Sequence, residues 1–292
     1  MATIRPALQS DLRSIYEIWY QNEVLDVPQP PAPGKIPAYL QHVIQTGTMF
    51  VAEQDHKLLA FAGAIKRGKV AFLTDLFVRP THQSGQLGKS LLQAALPQDN
   101  LIHCTSSSSD PRALALYVRA GMQPQWPHLE LQSSKPLPSL PDQEIEIVEA
   151  ESNDPELINW DAQIGGRLRP EDHQFWAREQ RAIPLWFRRY GQFIGYGYIR
   201  REAGTLWSPQ ACLLGPIGVR NPQDSTPCVL AAVQQASRYA SELHIQVPGP
   251  HPALKTLLEI GFHIDSIDTF VSSSSTPFFD PQCYVSSGGD LL

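Results

Sequence analysis

The sequence predicts an α/β (α+β) protein of two domains, each a mixed, mostly antiparallel twisted sheet flanked by helices. Three observations carry that reading. Strand and helix patterns alternate along both halves, a Pro- and Ser-rich stretch interrupts the chain near its middle, and the order of elements after it repeats the order before it. A length of 292 residues is more than one hydrophobic core usually serves, which fits two domains.

The first half opens with a short strand over residues 3–7. Ser10 is placed to cap a helix over 10–22 with Leu12, Ile15, Tyr16 and Trp19 on one face. A Pro-rich turn at 28–33 precedes a second helix over 36–45. Strands over 49–53, 58–66 and 70–78 follow, separated by the charged turns Asp55-His56-Lys57 and Arg67-Gly68-Lys69, which predicts an antiparallel meander. A helix over 85–96, a strand over 101–105, a helix over 110–120 and a strand over 128–132 complete the half.

Residues 134–142 are rich in Pro and Ser and read as a semi-stiff linker. The domains are therefore expected at 1–133 and 143–292. The second half begins with a strand over 144–148 and helical patterns over 154–160 and 170–180. Strands are expected at 184–189, 193–200 and 211–219, then a helix over 228–242, a strand over 243–247, a helix over 251–260 and a strand from Phe262. The tail from Ser272, with its Ser and Gly runs, is expected to be loosely held. Placing Gly121 on Gly261 brings Ala113 onto Ala253, Leu114 onto Leu254 and Met122 onto Phe262, while Val78-Arg79-Pro80 faces Val219-Arg220-Asn221-Pro222 one residue out of register. One plan is used twice.

Composition narrows the function. The formal net charge of −6 argues against nucleic acid as a partner, which usually calls for a basic excess. No run of about 18 apolar residues exists, so no membrane span is expected. The start of the sequence lacks an apolar signal region, which points to the cytoplasm. Cys104, Cys212, Cys228 and Cys283 are scattered, as expected of free, buried thiols, and neither they nor the nine histidines form a metal-ligand pattern. No metal is expected.

Chemistry concentrates between Leu73 and Leu92. An apolar strand runs into Pro80, a short polar loop follows, and a helix starts near Gly85. Unpaired N–H groups at a helix start, together with the helix dipole, favour a phosphate. By itself the pattern fits a plain strand-to-helix turn equally well. The residues go further: Val78, Pro80, Gln83 and Gly88 fit V-x-P-x-x-[Q/R]-x-x-G-x-[G/A], so the segment resembles the acetyl-CoA-binding motif of the GNAT superfamily of N-acetyltransferases. The resemblance implies that backbone amides over Gln83, Ser84, Gly85, Gln86, Leu87, Gly88 and Lys89 hold the CoA pyrophosphate. One departure is plain: Gln86 stands where the family has its central glycine, which sits one place earlier at Gly85; if the loop needs a positive φ at Gln86 it costs about 1 kcal/mol or more, so either the loop shifts by one or CoA binding is weaker.

A second segment, Asp110 through Met122, resembles the family's N-x-x-A-x-x-x-Y-x-x-x-G-F, with Asp110 for Asn and Met122 for Phe. It implies that Tyr117 protonates the departing thiolate, and that Asp110 belongs to the cofactor site; packing on an amphipathic helix is the plain alternative for Tyr117. In the family a backbone N–H at the end of the strand before the loop, here the Phe77-Val78 region, polarises the thioester carbonyl. The amine must also lose a proton. Leu73-Thr74-Asp75-Leu76-Phe77-Val78 looks like L-E-D-x-[FY]-V of the diamine and polyamine acetyltransferases, but their Glu base is Thr74 here. Asp75 is the nearest carboxylate, Glu23 and Asp26 are alternatives through water, and an anchoring role for Asp75 is the plain reading.

The second half keeps the plan without the chemistry. Residues 220–227 hold no glycine and place Pro227 at the helix start, and Leu257 occupies the place of Tyr117. Trp160, Arg167, Arg169, Trp176, Trp186 and Tyr196 there are recognition residues or, more simply, core and rim. The expected activity is acetyl transfer from acetyl-CoA to a small-molecule amine or a peptide N-terminus. A CoA-binding module without turnover is the alternative, and acylation of an alcohol or with a longer acyl group stays open, as does the oligomeric state.

Overall fold

A computed structural model describes residues 2–83, 86–96, 100–133, 138 and 144–292. By its contacts the chain forms two compact units, Met1–Thr105 with Leu291, and Ser106–Asp290 with Leu292.

In the first unit, β1 (Thr3–Pro6), β2 (Thr48–Gln54), β3 (Lys57–Arg67), β4 (Val70–Val78) and β5 (Ile102–Ser107) lie in sequence order across one sheet. The β2–β3 and β3–β4 pairs are antiparallel, as the charged two-residue turns require, and β1 pairs antiparallel with β2 across the two intervening helices. Among the described residues of this unit only β4–β5 is parallel, because α3 (Leu87–Ala95) crosses between them. Helices α1 (Leu12–Glu23) and α2 (Ala38–Thr46) precede β2. Their apolar stripes bury Ile15, Ile18, Leu40 and Val43, and α3 buries Leu91 and Leu92. The expected Ser10 cap is replaced. A 3-10 turn over Gln9–Asp11 leads into α1, and Asp11 accepts the Leu8 N–H at 2.7 Å while pairing with Arg5. Asp11 has the two oxygens this needs, where Ser10 has one.

The second unit holds α4 (Pro111–Arg119), β6 (Gln123–Ser133), β7 (Glu146–Glu149), α5 (Pro155–Ile164), α6 (Pro170–Glu179), β8 (Ala182–Arg189), β9 (Gln192–Arg200), β10 (Cys212–Val219), α7 (Ser225–Ala236), β11 (Leu243–Pro248), α8 (Ala253–Glu259), β12 (His263–Ser272) and β13 (Tyr284–Val285). Its sheet order is β12-β6-β11-β10-β9-β8-β7, with β13 on β10. Again one pair, β10–β11, is parallel and the rest antiparallel. Strand β6 lies between β11 and β12, so the packing divides at Thr105, upstream of the compositional linker. That linker, apart from Pro138, lies outside the described residues. The core gathers Leu131, Leu185, Phe187, Leu214, Val229, Val233, Ile245 and Leu257.

Further differences from the sequence expectation appear: β6 begins at Gln123 rather than 128, and α5 runs to Ile164 rather than 160. Helix α7 ends at Ala236, short of residue 242, and the chain turns through Ser237 before β11. The tail is held rather than loose: Tyr284, Val285, Ser286, Ser287 and Leu292 are fully buried. The repeat has a geometric signature. Gly121 and Gly261 end their helices at φ +93° and +112°; Met122 N–H donates to Tyr117 C=O at 3.1 Å, and Phe262 N–H to Leu257 C=O at 3.0 Å. Both are helix-end caps that require a left-handed residue, so Leu257 is the positional counterpart of Tyr117.

Candidate active site

In the first unit, parallel pairing between β4 and β5 covers Val70–Ile102, Ala71–His103 and Phe72–Cys104. At the next residue the Thr105 hydroxyl donates to the Leu73 C=O at 2.8 Å. On its other side β4 stays paired with β3 to Val78, with a register shift that leaves Thr74 as a bulge between the Ala64–Leu73 and Gly63–Asp75 pairs. The two strands therefore fork beyond the bulge. Arg79 N–H donates to Leu59 C=O at 2.8 Å, so alternation along an antiparallel pair turns the Phe77 N–H toward β3 as well. Val78 then aims its N–H into the fork. Of the Phe77-Val78 pair, Val78 supplies the outward donor, and Phe77 stacks its ring on Phe61 at 5.7 Å.

After Val78 the chain makes a 3-10 turn over Pro80–His82 and reaches α3. Arg79 fixes the turn: its Nε donates to Leu58 C=O at 2.7 Å and its Nη1 to the Gln21 side chain at 2.8 Å, while Gln83 Nε2 donates to Asn22 Oδ1 at 3.4 Å. These contacts tie the loop to the end of α1, and His82 faces solvent. Ser84 and Gly85 lie outside the described residues. Gln86 is the N-cap of α3 at φ +63°, ψ −3°, so a glutamine in the left-handed conformation stands at the motif's central glycine position. The first α3 bond runs from Ser90 N–H to Gln86 C=O at 3.2 Å. The N–H groups of Leu87, Gly88 and Lys89 thus precede the intrahelical ladder at the positive end of the helix dipole, with the Lys89 side chain exposed beside them. This set of donors fits a pyrophosphate.

Asp75 is buried beside the bulge. Its two oxygens accept from the Tyr39 hydroxyl of α2 and from the Thr74 hydroxyl, both at 2.7 Å. Tyr39 was not singled out by the sequence, because nothing in its spacing from residue 75 announces a contact across 36 positions. Asp26 takes a positive φ of 63° just past α1, and Glu23 is that helix's last residue.

In the second unit, Asp110 caps α4: it accepts from Arg112 N–H at 2.8 Å and binds the Arg112 guanidinium at 2.8 to 3.1 Å. The Arg112 hydrogen bonds and charge hold its carboxyl below the usual range. An acid so engaged positions the helix. Tyr117 is buried on α4, while Val118 and Arg119 next to it are exposed, as expected for a ring on the inner face. Nearby on the chain, Ser106 Oγ and His128 Nδ1 lie 3.0 Å apart, and burial pushes His128 down to about 3, so that ring is neutral. Of the aromatic and arginine set of the second half, Arg169, Trp176 and Tyr196 are fully buried core residues. All four cysteines are buried free thiols. Among the described residues no cluster of His, Cys, Asp or Glu could hold a metal ion, and no helix is long and apolar enough to cross a membrane.

Residues 10–122 match the model of the acetyltransferase (GNAT) family. No curated protein sequence matches the chain. Among solved structures, a candidate acetyltransferase of Pyrococcus horikoshii superposes with a TM-score of 0.75 at 16% identity, covering 100% of this chain and 94% of that one. A GCN5-related N-acetyltransferase of Sphaerobacter thermophilus gives 0.66 at 14% identity, over 97% and 98% of the two chains. A tandem GNAT protein from the clavulanic acid biosynthesis pathway gives 0.61 at 15% identity, over 95% and 100%. At such identities the likeness is one of fold, and it extends over both halves.

Proposed function

We propose that this chain, whose residues 10–122 match the model of the acetyltransferase (GNAT) family, moves an acetyl group from acetyl-CoA to a primary amine by direct attack in a ternary complex. The observation that carries the reading is the conjunction, on one strand–loop–helix, of the outward Val78 N–H, the left-handed Gln86 and the unladdered N–H groups of Leu87, Gly88 and Lys89. Acetyl-CoA would supply the activated thioester. The α3 amides and Gln83 would hold its pyrophosphate, and the Val78 N–H would donate to the acetyl oxygen as negative charge develops there. Tyr117 would return a proton to the leaving sulfur, and Asp75 would take the amine proton, directly or through water. The acceptor is a small amine or a peptide N-terminus, and the cytoplasm suits an enzyme whose four thiols are all free. We assign the domains to 1–133 and 143–292 as copies in sequence.

Tyr117→Phe tests the reading. Turnover should fall about 100-fold, the usual scale for one general acid, with acetyl-CoA affinity kept. A variant as fast as the parent removes Tyr117 from catalysis. Absence of turnover with every amine in a protein that does bind acetyl-CoA favours the module without chemistry, a reading that the strained Gln86 supports.

A further inference from the structure

The second unit contains the same fork as the first. Parallel pairing of β10 with β11 also covers three positions, Cys212–Leu243, Leu213–His244 and Leu214–Ile245. The register of β10 against β9 then shifts between Leu214 and Ile217, as that of β4 shifts beyond its third parallel pair. Arg220 N–H donates to Ile194 C=O at 3.3 Å, as Arg79 does to Leu59, so Val219 aims its N–H away from β9 as Val78 aims its own away from β3. Here that N–H has a partner. Val219 N–H donates to Cys283 C=O at 3.0 Å, and β13 pairs with β10 through Ile217–Val285 and Gly218–Tyr284.

The rest of the tail follows the same path. At the start of α7, the counterpart of α3, the Ser225 hydroxyl donates to Gln282 C=O at 2.5 Å. On the far arm of the fork, Ser286 Oγ donates to the Gln246 side chain of β11 at 2.8 Å. Gly215, at φ +124°, lies against the Ser286 carbonyl, and a side chain at this position would collide with it. Deeper in, Tyr284 and the Leu292 carbonyl are gripped by Arg169, whose Nη2 donates to the Tyr284 hydroxyl at 2.5 Å and whose Nη1 donates to Leu292 at 2.9 Å; Arg167 donates to the same carbonyl. Asp161 neutralises Arg169 through two bonds of 2.7 and 2.8 Å and also accepts from the Tyr196 hydroxyl at 2.6 Å.

We infer that residues 280–287 are the built-in ligand of the second unit, a peptide lying where the first unit would take its acyl-CoA, from the helix start to the amide that corresponds to Val78. The inference rests on reading the β4–β5 fork as the cofactor slot. It accounts for three sequence features at once. The β10–α7 turn needs no glycine because a single carbonyl, and no pyrophosphate, sits at the helix start. Leu257 needs no hydroxyl because no thiolate departs there. The Ser and Gly residues at 286–289 let the backbone enter a narrow fork.

Hydrogen–deuterium exchange on the full chain, with and without saturating acetyl-CoA, tests this. Peptides over 212–219 and 282–287 should exchange about 100-fold more slowly than an open loop in the absence of acetyl-CoA, and should be unchanged by it. Loop-like exchange at 282–287, or loss of its protection when acetyl-CoA is added, overturns the assignment. The peptide over 74–83 reports separately on the first unit. If it gains no protection with acetyl-CoA while 282–287 stays protected, the acetyl-CoA reading of the first unit falls and takes with it the equivalence of tail and cofactor, leaving only the tail's occupation of the second fork.

Discussion

At Gln86 a glutamine in the left-handed conformation stands where the motif has a glycine. A residue with a Cβ at φ +63° costs about 1 kcal/mol, and Gln86→Gly should return up to that amount as a Tm rise of about 2 to 4 °C, measured by scanning calorimetry; an unchanged or lower Tm would mean the loop carries no strain. The motif was legible in the sequence, down to the displaced glycine, because its spacing is fixed by backbone amides. The general base was less so, since a base is defined by where side chains meet, and Tyr39 reaches Asp75 from another element. Asp75→Asn keeps the shape and can still accept one hydroxyl. As a base replacement it should lower turnover about 100-fold and flatten the rise of rate with pH. A variant with full turnover assigns Asp75 to anchoring α2 on β4.

On the scale of elements, the fork of the second unit is filled by β13, and by our proposal that of the first takes acyl-CoA. Strand and helix order was readable from periodicity up to β12, with most boundaries within three positions. The tail was not. Its Ser and Gly runs carry the composition of a loose end, and no local pattern reveals that Arg167 and Arg169 wait for its carbonyl in the core. The grip is a buried charge pair. Burial alone would raise Asp161, but the charge and hydrogen bonds of Arg169, aided by His173, hold its carboxyl well below the ordinary range. Removing one partner leaves the other buried and unpaired, so Asp161→Ala should destabilise the chain by about 3 to 5 kcal/mol in urea unfolding. A loss under about 1 kcal/mol would show that the tail does not depend on this network.

For the whole molecule, the pH dependence of folding combines two signs. Asp161 ionises more readily folded than unfolded, so its stabilisation is complete above the unfolded carboxylate range near about 3.9 and is lost as pH falls through and below it. Glu130 on β6 works in the opposite direction. Burial first, then the charges of Asp265 and Asp268, push it up to about 8. The unfolded chain releases that proton first, so stability falls as pH rises from about 4.5 to about 8. Glu130→Gln should therefore leave stability at pH 5 nearly unchanged and raise it at pH 8. Equal effects at both pH values would contradict the shift. The division into two copies was visible in the repeat, whereas the insertion of β6 between β11 and β12 was not, because strand order in a sheet is set by pairing partners far apart in sequence. The central claim is a single acetyl-CoA site in the first half, and calorimetric titration of acetyl-CoA into the full chain tests it most directly. The account predicts one site per chain with micromolar affinity, abolished when the α3 start is blocked by Gly88→Trp. No binding at millimolar acetyl-CoA, or two sites per chain, would contradict it.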